Sequence, residues 1–123
     1  MMNNKEFVSS FWRDMDAQKW DNLQSYFEPN AVIDWANTKE RFTVPEFVNV
    51  NAEYPGNWNI TVKRIEQMGN LIISVVFVQL SGENQAFTAV SFFKFENERF
   101  SGLTEYWGDV GEPPAWRQSN NNF

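Results

Sequence analysis

The feature that most constrains this chain is a change in the spacing of its apolar residues near residue 58. From there to residue 107, apolar side chains recur at every second position, which is typical of β-strands. Turn-forming residues interrupt this pattern at Gly69-Asn70, at residues 81–84 and at Asn97-Glu98. The spacing therefore predicts antiparallel strands joined by hairpins, over residues 58–68, 71–80, 85–96 and 99–107.

The region before residue 55 shows helical spacing instead. Its first apolar stripe predicts an amphipathic helix that begins after Asn3 or Asn4. A shorter stripe over residues 20–27 predicts a second helix of about two turns, which ends at residues 28–30, where Pro29 interrupts it. The first stripe consists of Phe7, Val8, Phe11, Trp12 and Met15.

A third helix is predicted after a short strand at residues 31–35. Thr43 and Glu46 have the spacing of a capping box, and Pro45 lies at the helix start, where its missing N–H is harmless. Helices followed by a strand meander indicate an α+β fold, with three N-terminal helices packed on one face of a curved antiparallel sheet around a central pocket. We interpret residues 1–117 as one domain and the polar residues 118–123 as a disordered tail.

Composition excludes several kinds of chemistry. The chain has no Cys and no His, so disulfides, thiolate nucleophiles and imidazole bases are absent. Its carboxylates are scattered and no loop has a phosphate-binding glycine pattern, so we expect neither a metal nor a cofactor. The net charge of −6 disfavours nucleic acid and anionic membranes as partners. The N-terminus has no secretory signal pattern, and we expect a cytoplasmic protein.

Several short segments resemble the nuclear-transport-factor-2-like (SnoaL-like) superfamily. They are Trp-Asp-Asn-Leu at residues 20–23, the segment 26–33 and Glu-Tyr-Trp-Gly-Asp at residues 105–109. A bacterial subgroup without a well-defined function is matched by residues 35–42, 51–58 and 114–117. The resemblance covers residues 5–117. It implies a cone-shaped fold with a pocket between sheet and helices, and dimerisation through the outer sheet face.

Two enzyme groups of the superfamily supply points of comparison. The resemblance to ketosteroid isomerases places Trp35, with Asp34 adjacent, at the position of the general base, and Phe11 at that of an oxyanion-binding Tyr. A slip of one residue would exchange Trp35 and Asp34 between the two faces of the strand. The resemblance to epoxide hydrolases places Glu105 at an acid position, but the uncharged residues 73–77 lack the required Arg and Asp. Each of these two specific reactions therefore lacks catalytic residues that it requires.

Glu105 is the candidate catalytic residue. It shares a strand face with Trp107, and a carboxyl beside aromatic surfaces would have its pKa raised by desolvation, as a general acid or base at neutral pH requires. The alternative is an ion pair of Glu105 with Arg117 or Arg99 at the rim. Glu40 is either a second pocket carboxylate or, as we favour, a solvated residue.

Five further residues are candidate ligand contacts. Trp35, Trp58 and Trp107 either line the cavity or belong to the core. Asn51 and Tyr54 lie three residues apart on the third predicted helix and can face one way, with Asn51 either a structural hydrogen bonder or a ligand contact. With six Trp and twelve Phe in the chain, these residues favour a small-molecule-binding protein of the SnoaL-like type, whose ligand is mostly apolar or polyketide-like. The alternatives are a cofactor-independent isomerase, cyclase or hydrolase that uses Glu105, and a dimerisation module without a ligand.

The predicted central strands are apolar on both faces, which favours a homodimer packed sheet to sheet. An antiparallel sheet with one face in water normally carries polar residues on that face. The three helices can cover one face, and a second copy of the chain would cover the other. In the second predicted strand, Leu71, Ile73, Val75 and Phe77 share one face, and Ile72, Val76 and Val78 share the other.

Overall fold

The computed structural model describes residues 3–118, which form three α-helices and a six-stranded sheet. The helices are α1 (Asn4–Asp16), α2 (Trp20–Leu23) and α3 (Val44–Ala52). The strands are β1 (Phe27–Trp35), β2 (Glu40–Phe42), β3 (Trp58–Met68), β4 (Leu71–Leu80), β5 (Ala86–Glu96) and β6 (Arg99–Asp109). Short 3₁₀ turns follow α2 at Gln24–Tyr26 and lie near the C-terminus at Ala115–Arg117.

The strands form one open sheet in the order β2-β1-β6-β5-β4-β3. Neighbours pair antiparallel except β1 and β6, which run parallel. The predicted α+β class and the four-strand meander are confirmed, and the parallel pair makes the sheet mixed. This pair arises because β1 precedes the meander and joins its last strand rather than its first. No helix within residues 3–118 has both the length and the apolar character needed to cross a membrane.

Local signals fix the starts of two helices. The Asn3 side chain accepts a hydrogen bond from the Glu6 backbone N–H at 2.8 Å and caps α1. At α3, the Glu46 carboxylate accepts from the Thr43 N–H at 2.8 Å, and the Thr43 hydroxyl accepts from the Glu46 N–H at 3.4 Å. Both bonds of the predicted capping box are therefore present.

Several boundaries differ from the sequence expectation. The helix expected over residues 20–27 is α2 followed by a 3₁₀ turn, β5 begins at Ala86 and β6 ends at Asp109. Strand β1 begins at Phe27 rather than at residue 31, with its pairing to β6 irregular between Phe27 and Val32. This irregular stretch contains Pro29, which has no N–H to donate to a sheet. Strand β2 has too few residues to show a pattern of its own, and its pairing with β1 defines it. Tyr54 lies beyond the end of α3, and residues 119–123 of the expected tail lie outside the described part of the chain.

The core lies between the helices and the inner face of the sheet. Phe11 of α1 is fully buried and its ring packs at 5.1 to 5.9 Å from Trp12, Tyr26, Phe27, Phe93 and Phe100. These edge-to-face contacts add to the apolar burial of the rings. They account for the position of Phe11, which belongs to the core and not to a binding site.

Candidate functional site

A cavity of approximately 280 Å³ lies between the inner face of the sheet and the helices. Residues from all three helices and from β1, β3, β4, β5 and β6 line it. Gln18, Tyr54 and Asp109 are exposed lining residues and mark its open side. Five tryptophans contribute to its wall: Trp12, Trp20, Trp35, Trp58 and Trp107.

Glu105 supplies a buried carboxyl group to this cavity, with 7% of the residue exposed. Its Oε2 accepts a hydrogen bond from the Ser91 hydroxyl at 2.6 Å, and its Oε1 accepts one from the Trp35 indole N–H at 3.0 Å. Ser91 on β5 and Trp35 on β1 are its direct neighbours across the two strands that flank β6. The register of the sheet therefore positions the carboxyl group.

Burial raises the pKa of Glu105 above its ordinary value of 4.5, while the hydrogen bonds from Ser91 and then Trp35 lower it by less. The alternative of an ion pair with Arg99 or Arg117 is wrong. In the described part of the chain, neither of these side chains lies within ion-pair distance of Glu105. The two donors that hold the carboxyl group are neutral. Glu105 therefore favours its protonated form more than a carboxyl group at the protein surface does.

Two buried serines extend the polar groups across the sheet. Ser74 lies opposite Ser91 in neighbouring strands, and both are fully buried. The Ser74 hydroxyl accepts a hydrogen bond from the Trp12 indole N–H at 3.0 Å. The predicted site did not include Ser74, Ser91 or Trp12. A signal was available, since each serine occupies the inward phase of an otherwise apolar strand.

Tyr54 and Trp58 form a stacked pair at the open side of the cavity. Their ring centroids are 5.0 Å apart and their planes differ by 6°. The Trp58 indole N–H donates to the Pro55 carbonyl oxygen at 2.8 Å, and Tyr54 is 49% exposed. Asn51 also lines the cavity, but its amide nitrogen donates to the Phe47 carbonyl oxygen at 2.8 Å. This bond gives Asn51 a structural role within α3.

Trp35, and not Asp34, faces the cavity. The Trp35 ring packs edge to face on Trp107, with centroids 5.1 Å apart. Asp34 points away and its carboxylate accepts two hydrogen bonds from Arg41, at 2.7 and 3.1 Å, which lower the pKa of Asp34. Glu40 is exposed and does not line the cavity. The position of the isomerase base thus carries an indole, and Glu105 is the buried acid.

The structure brings all six candidate residues together around one cavity: Trp35, Asn51, Tyr54, Trp58, Glu105 and Trp107. Their roles in binding or catalysis stay predictions. Among residues 3–118 no group of three or more acidic side chains has an arrangement that could hold a metal ion. The arrangement can accept hydrogen bonds at Glu105, donate one when Glu105 is protonated, and enclose an apolar molecule between aromatic rings.

Comparison with known proteins gives a likeness of fold. No family model matches the chain, and no curated protein is significantly similar in sequence. A ketosteroid isomerase candidate from Kribbella flavida has a TM-score of 0.82 at 22% identity, over 97% of this chain and 87% of the other. An NTF-2 like protein of unknown function from Burkholderia xenovorans has a TM-score of 0.80 at 24% identity, over 96% and 92%.

A third solved structure holds a small molecule. It is a protein from Catenulispora acidiphila with a ketosteroid isomerase-like fold, in complex with trimethylamine. Its TM-score is 0.70 at 12% identity, over 85% of this chain and 86% of the other. The identities are low, so these matches establish the architecture and not an activity. The chain has the nuclear-transport-factor-2-like fold, and the expected resemblance to that superfamily is confirmed at this level.

Proposed function

We propose that this protein binds a small, largely apolar organic molecule in the cavity, with Glu105 as its main polar contact. The observation that carries this proposal is a buried carboxyl group in an open cavity of approximately 280 Å³ with five tryptophans in its wall. A concave, mostly apolar site with few convergent polar groups is the usual form of a small-molecule site. The open cavity also favours this function over a dimerisation module without a ligand.

The wall residues supply complementary surfaces. Trp35 and Trp107 pack against each other beside Glu105, and the Tyr54–Trp58 pair lies at the open side. Planar or alkyl groups of a ligand would replace water on these rings, a gain of about 25 cal/mol for each Å² of apolar surface. The trimethylamine complex of the Catenulispora acidiphila protein supports the proposal, because a protein of similar fold holds a small organic molecule.

A thermal-shift screen of aromatic and polyketide-like compounds tests the binding proposal. A ligand at one hundred times its Kd should stabilise the protein by about 2.7 kcal/mol and raise Tm. Ala89→Leu, which places a larger side chain in the cavity wall, should abolish the shift. Ala52→Leu, on an exposed position at the end of α3, is the matched control and should retain it. No response from the unmodified protein, or equal responses from both variants, would contradict the proposal.

A second candidate function is a cofactor-independent isomerase, cyclase or hydrolase. The observation that favours it is the burial that raises the pKa of Glu105, since a general acid or base works best with a pKa near the operating pH. Tyr54, or the second N–H of the Asn51 amide, would supply the oxyanion donor. For any substrate found, Glu105→Gln should reduce kcat by about 10² to 10⁴ while binding persists. A variant that retains full kcat would rule out this role.

We also propose that two copies of the chain pack through the outer face of the sheet. Ile73, Val75 and Phe77 of β4 alternate with fully or nearly fully buried residues and remain half-exposed. Val90 and Phe92 continue this apolar surface on β5. A stable dimer would bury on the order of 1,500 Å² in total. Charges of both signs surround the surface and can complement each other in a two-fold pair: Lys63, Glu66, Lys94 and Glu96.

A further inference from the structure

The cavity has an unusual balance of charge. Its lining contains two carboxyl groups, the buried Glu105 and the exposed Asp109, which lie about 13 Å apart along β6. Among the described residues that line the cavity there is no Lys or Arg, and the chain has no His. An anionic ligand would meet no positive charge in this wall. The net charge of −6 also attracts cations and repels anions.

The tryptophans add to this preference because several of their N–H groups are already engaged. The indole N–H of Trp12 donates to Ser74, that of Trp35 to Glu105, and that of Trp58 to the Pro55 carbonyl oxygen. These three rings therefore offer a ligand their π-electron surfaces rather than their donors. The negative face of an aromatic ring attracts an organic cation within about 6 Å of its centroid.

Glu105 can accept further hydrogen bonds and has no counter-ion among residues 3–118. An ionised carboxylate has about four lone-pair positions, and Ser91 and Trp35 occupy two of them. Within residues 3–118 the ion pairs are Asp34–Arg41 and Glu66–Arg64, neither of which involves Glu105. A buried carboxylate without a counter-charge is unfavourable, and a cationic ligand would supply one.

We propose that the ligand of this cavity is an organic cation, a protonated amine whose N–H donates to Glu105 and whose apolar substituents lie against the tryptophans. This inference rests on the proposed binding function and names the chemical class of the ligand. In this complex Glu105 is ionised and accepts the hydrogen bond from the ligand. A neutral carbonyl compound would need the opposite role, with a protonated Glu105 as donor.

The two ligand classes differ in the sign of their pH dependence. A cation binds best to the ionised carboxylate, so its affinity rises with pH, whereas a carbonyl acceptor binds best to the neutral acid and loses affinity. The other titratable groups that face the cavity are Asp109 of β6 and Tyr54 of the loop after α3. The lining residues from α1, α2, α3, β1, β3, β4 and β5 are not titratable. Asp109→Asn separates the contribution of the exposed carboxylate.

Calorimetric titration with matched probes tests the proposal. N,N-dimethylbenzylamine is a cation near neutral pH, and N,N-dimethylbenzamide has nearly the same shape with a neutral carbonyl group. A second pair with naphthyl rings covers a larger ligand. At about pH 8 the amine should bind the unmodified protein at least about tenfold more tightly than the amide. Lowering the pH to about 5 should reduce this ratio through protonation of Glu105.

Two substitutions test whether the preference for the amine over the amide depends on the cavity. Glu105→Gln keeps the shape of the side chain and should abolish the preference for the amine while amide binding persists. Asp34→Asn removes an equal charge outside the cavity and should retain the preference. Should Glu105→Gln fail to fold, the pH dependence of the unmodified protein still decides between the ligand classes.

Four results would overturn the proposal, and only the last of them also contradicts the binding function. Amide affinity equal to or above amine affinity, or a ratio that rises as the pH falls, contradicts the cationic ligand and leaves the binding function intact. Absence of amine binding while compounds of the thermal-shift screen bind has the same meaning. Absence of binding by every compound contradicts both the cationic ligand and the proposed binding function.

Discussion

Ser91 donates its hydroxyl hydrogen to Glu105 Oε2 at 2.6 Å, and the two residues lie directly opposite each other on β5 and β6. On the other side of β6, Trp35 donates to Oε1 from the opposite position on β1. The carboxyl group is thus held from both neighbouring strands. Its orientation depends on the register of three strands, one of which pairs in parallel.

Replacing Ser91 should change the titration of Glu105. The Ser91 hydrogen bond lowers the pKa of Glu105, so Ser91→Ala should raise that pKa further. Loss of a buried partner should also cost about 1 to 3 kcal/mol of unfolding free energy. Carboxyl ¹³C NMR titration measures the pKa directly. Ser101→Ala, elsewhere on β6, is the control, and an equal pKa in both variants would contradict the role of Ser91.

Glu105 should make the protein less stable as the pH rises. Its pKa is raised in the folded state, so between 4.5 and that raised value the folded protein binds more protons than the unfolded chain. The unfolding free energy therefore decreases through this interval. Chemical denaturation at about pH 5 and about pH 8 should show Glu105→Gln gaining stability relative to the unmodified protein at the higher pH. If the unfolding free energies of the variant and the unmodified protein differ by the same amount at both pH values, the prediction is wrong.

Asp34 provides a control of opposite sign. The Arg41 guanidinium lowers the pKa of Asp34, so this pair stabilises the folded state above the ordinary pKa of 3.8 and loses its contribution as the pH falls below it. Because the pair is at the surface, Asp34→Asn should cost at most about 1 kcal/mol near neutral pH. Extending the denaturation series to about pH 3 measures this loss, and equal pH dependence of Asp34→Asn and the unmodified protein in that range would contradict the role of the pair.

The outer sheet face should determine the oligomeric state. Val75 and Val90 are opposite each other at the middle of β4 and β5, and both are half-buried. Val75→Lys would place a charge in the proposed interface and should convert a dimer into a monomer of 14.4 kDa. Light scattering at micromolar concentration measures the mass. Asn49→Lys, exposed on α3, should remain dimeric, and an unmodified protein that is monomeric would contradict the interface.

Gly56, which lines the cavity, should not tolerate a side chain. It has a φ of +92°, and a Cβ atom there would lie 2.5 Å from Leu80 Cδ1. Gly56→Ala should therefore reduce the unfolding free energy by about 1 to 3 kcal/mol, through backbone strain and the displacement of Leu80. Gly111→Ala is the control, since no atom lies within 4 Å of its Cβ position. Equal thermal stability of the two variants would contradict this account.

The sequence by itself determined the elements with a clear period or cap. Apolar alternation gave the four strands of the meander, and the Thr43–Glu46 capping box gave the start of α3, because these signals act between residues close in sequence. The alternation also placed Glu105 and Trp107 on one face of β6, and both line the cavity. What the sequence left undetermined were β2 and the early start of β1, which depend on pairing with other strands.

Only the tertiary structure decided which side chains meet in the site. The choice between Asp34 and Trp35 depended on the register of β1, where a slip of one residue exchanges the two faces of a strand. The partners of Glu105 come from β1 and β5, 70 and 14 residues away in the chain. Such contacts leave no periodic signal, because strand pairing rather than sequence spacing brings them within hydrogen-bond distance. The sequence thus determined the candidate acid, and the fold determined its surroundings.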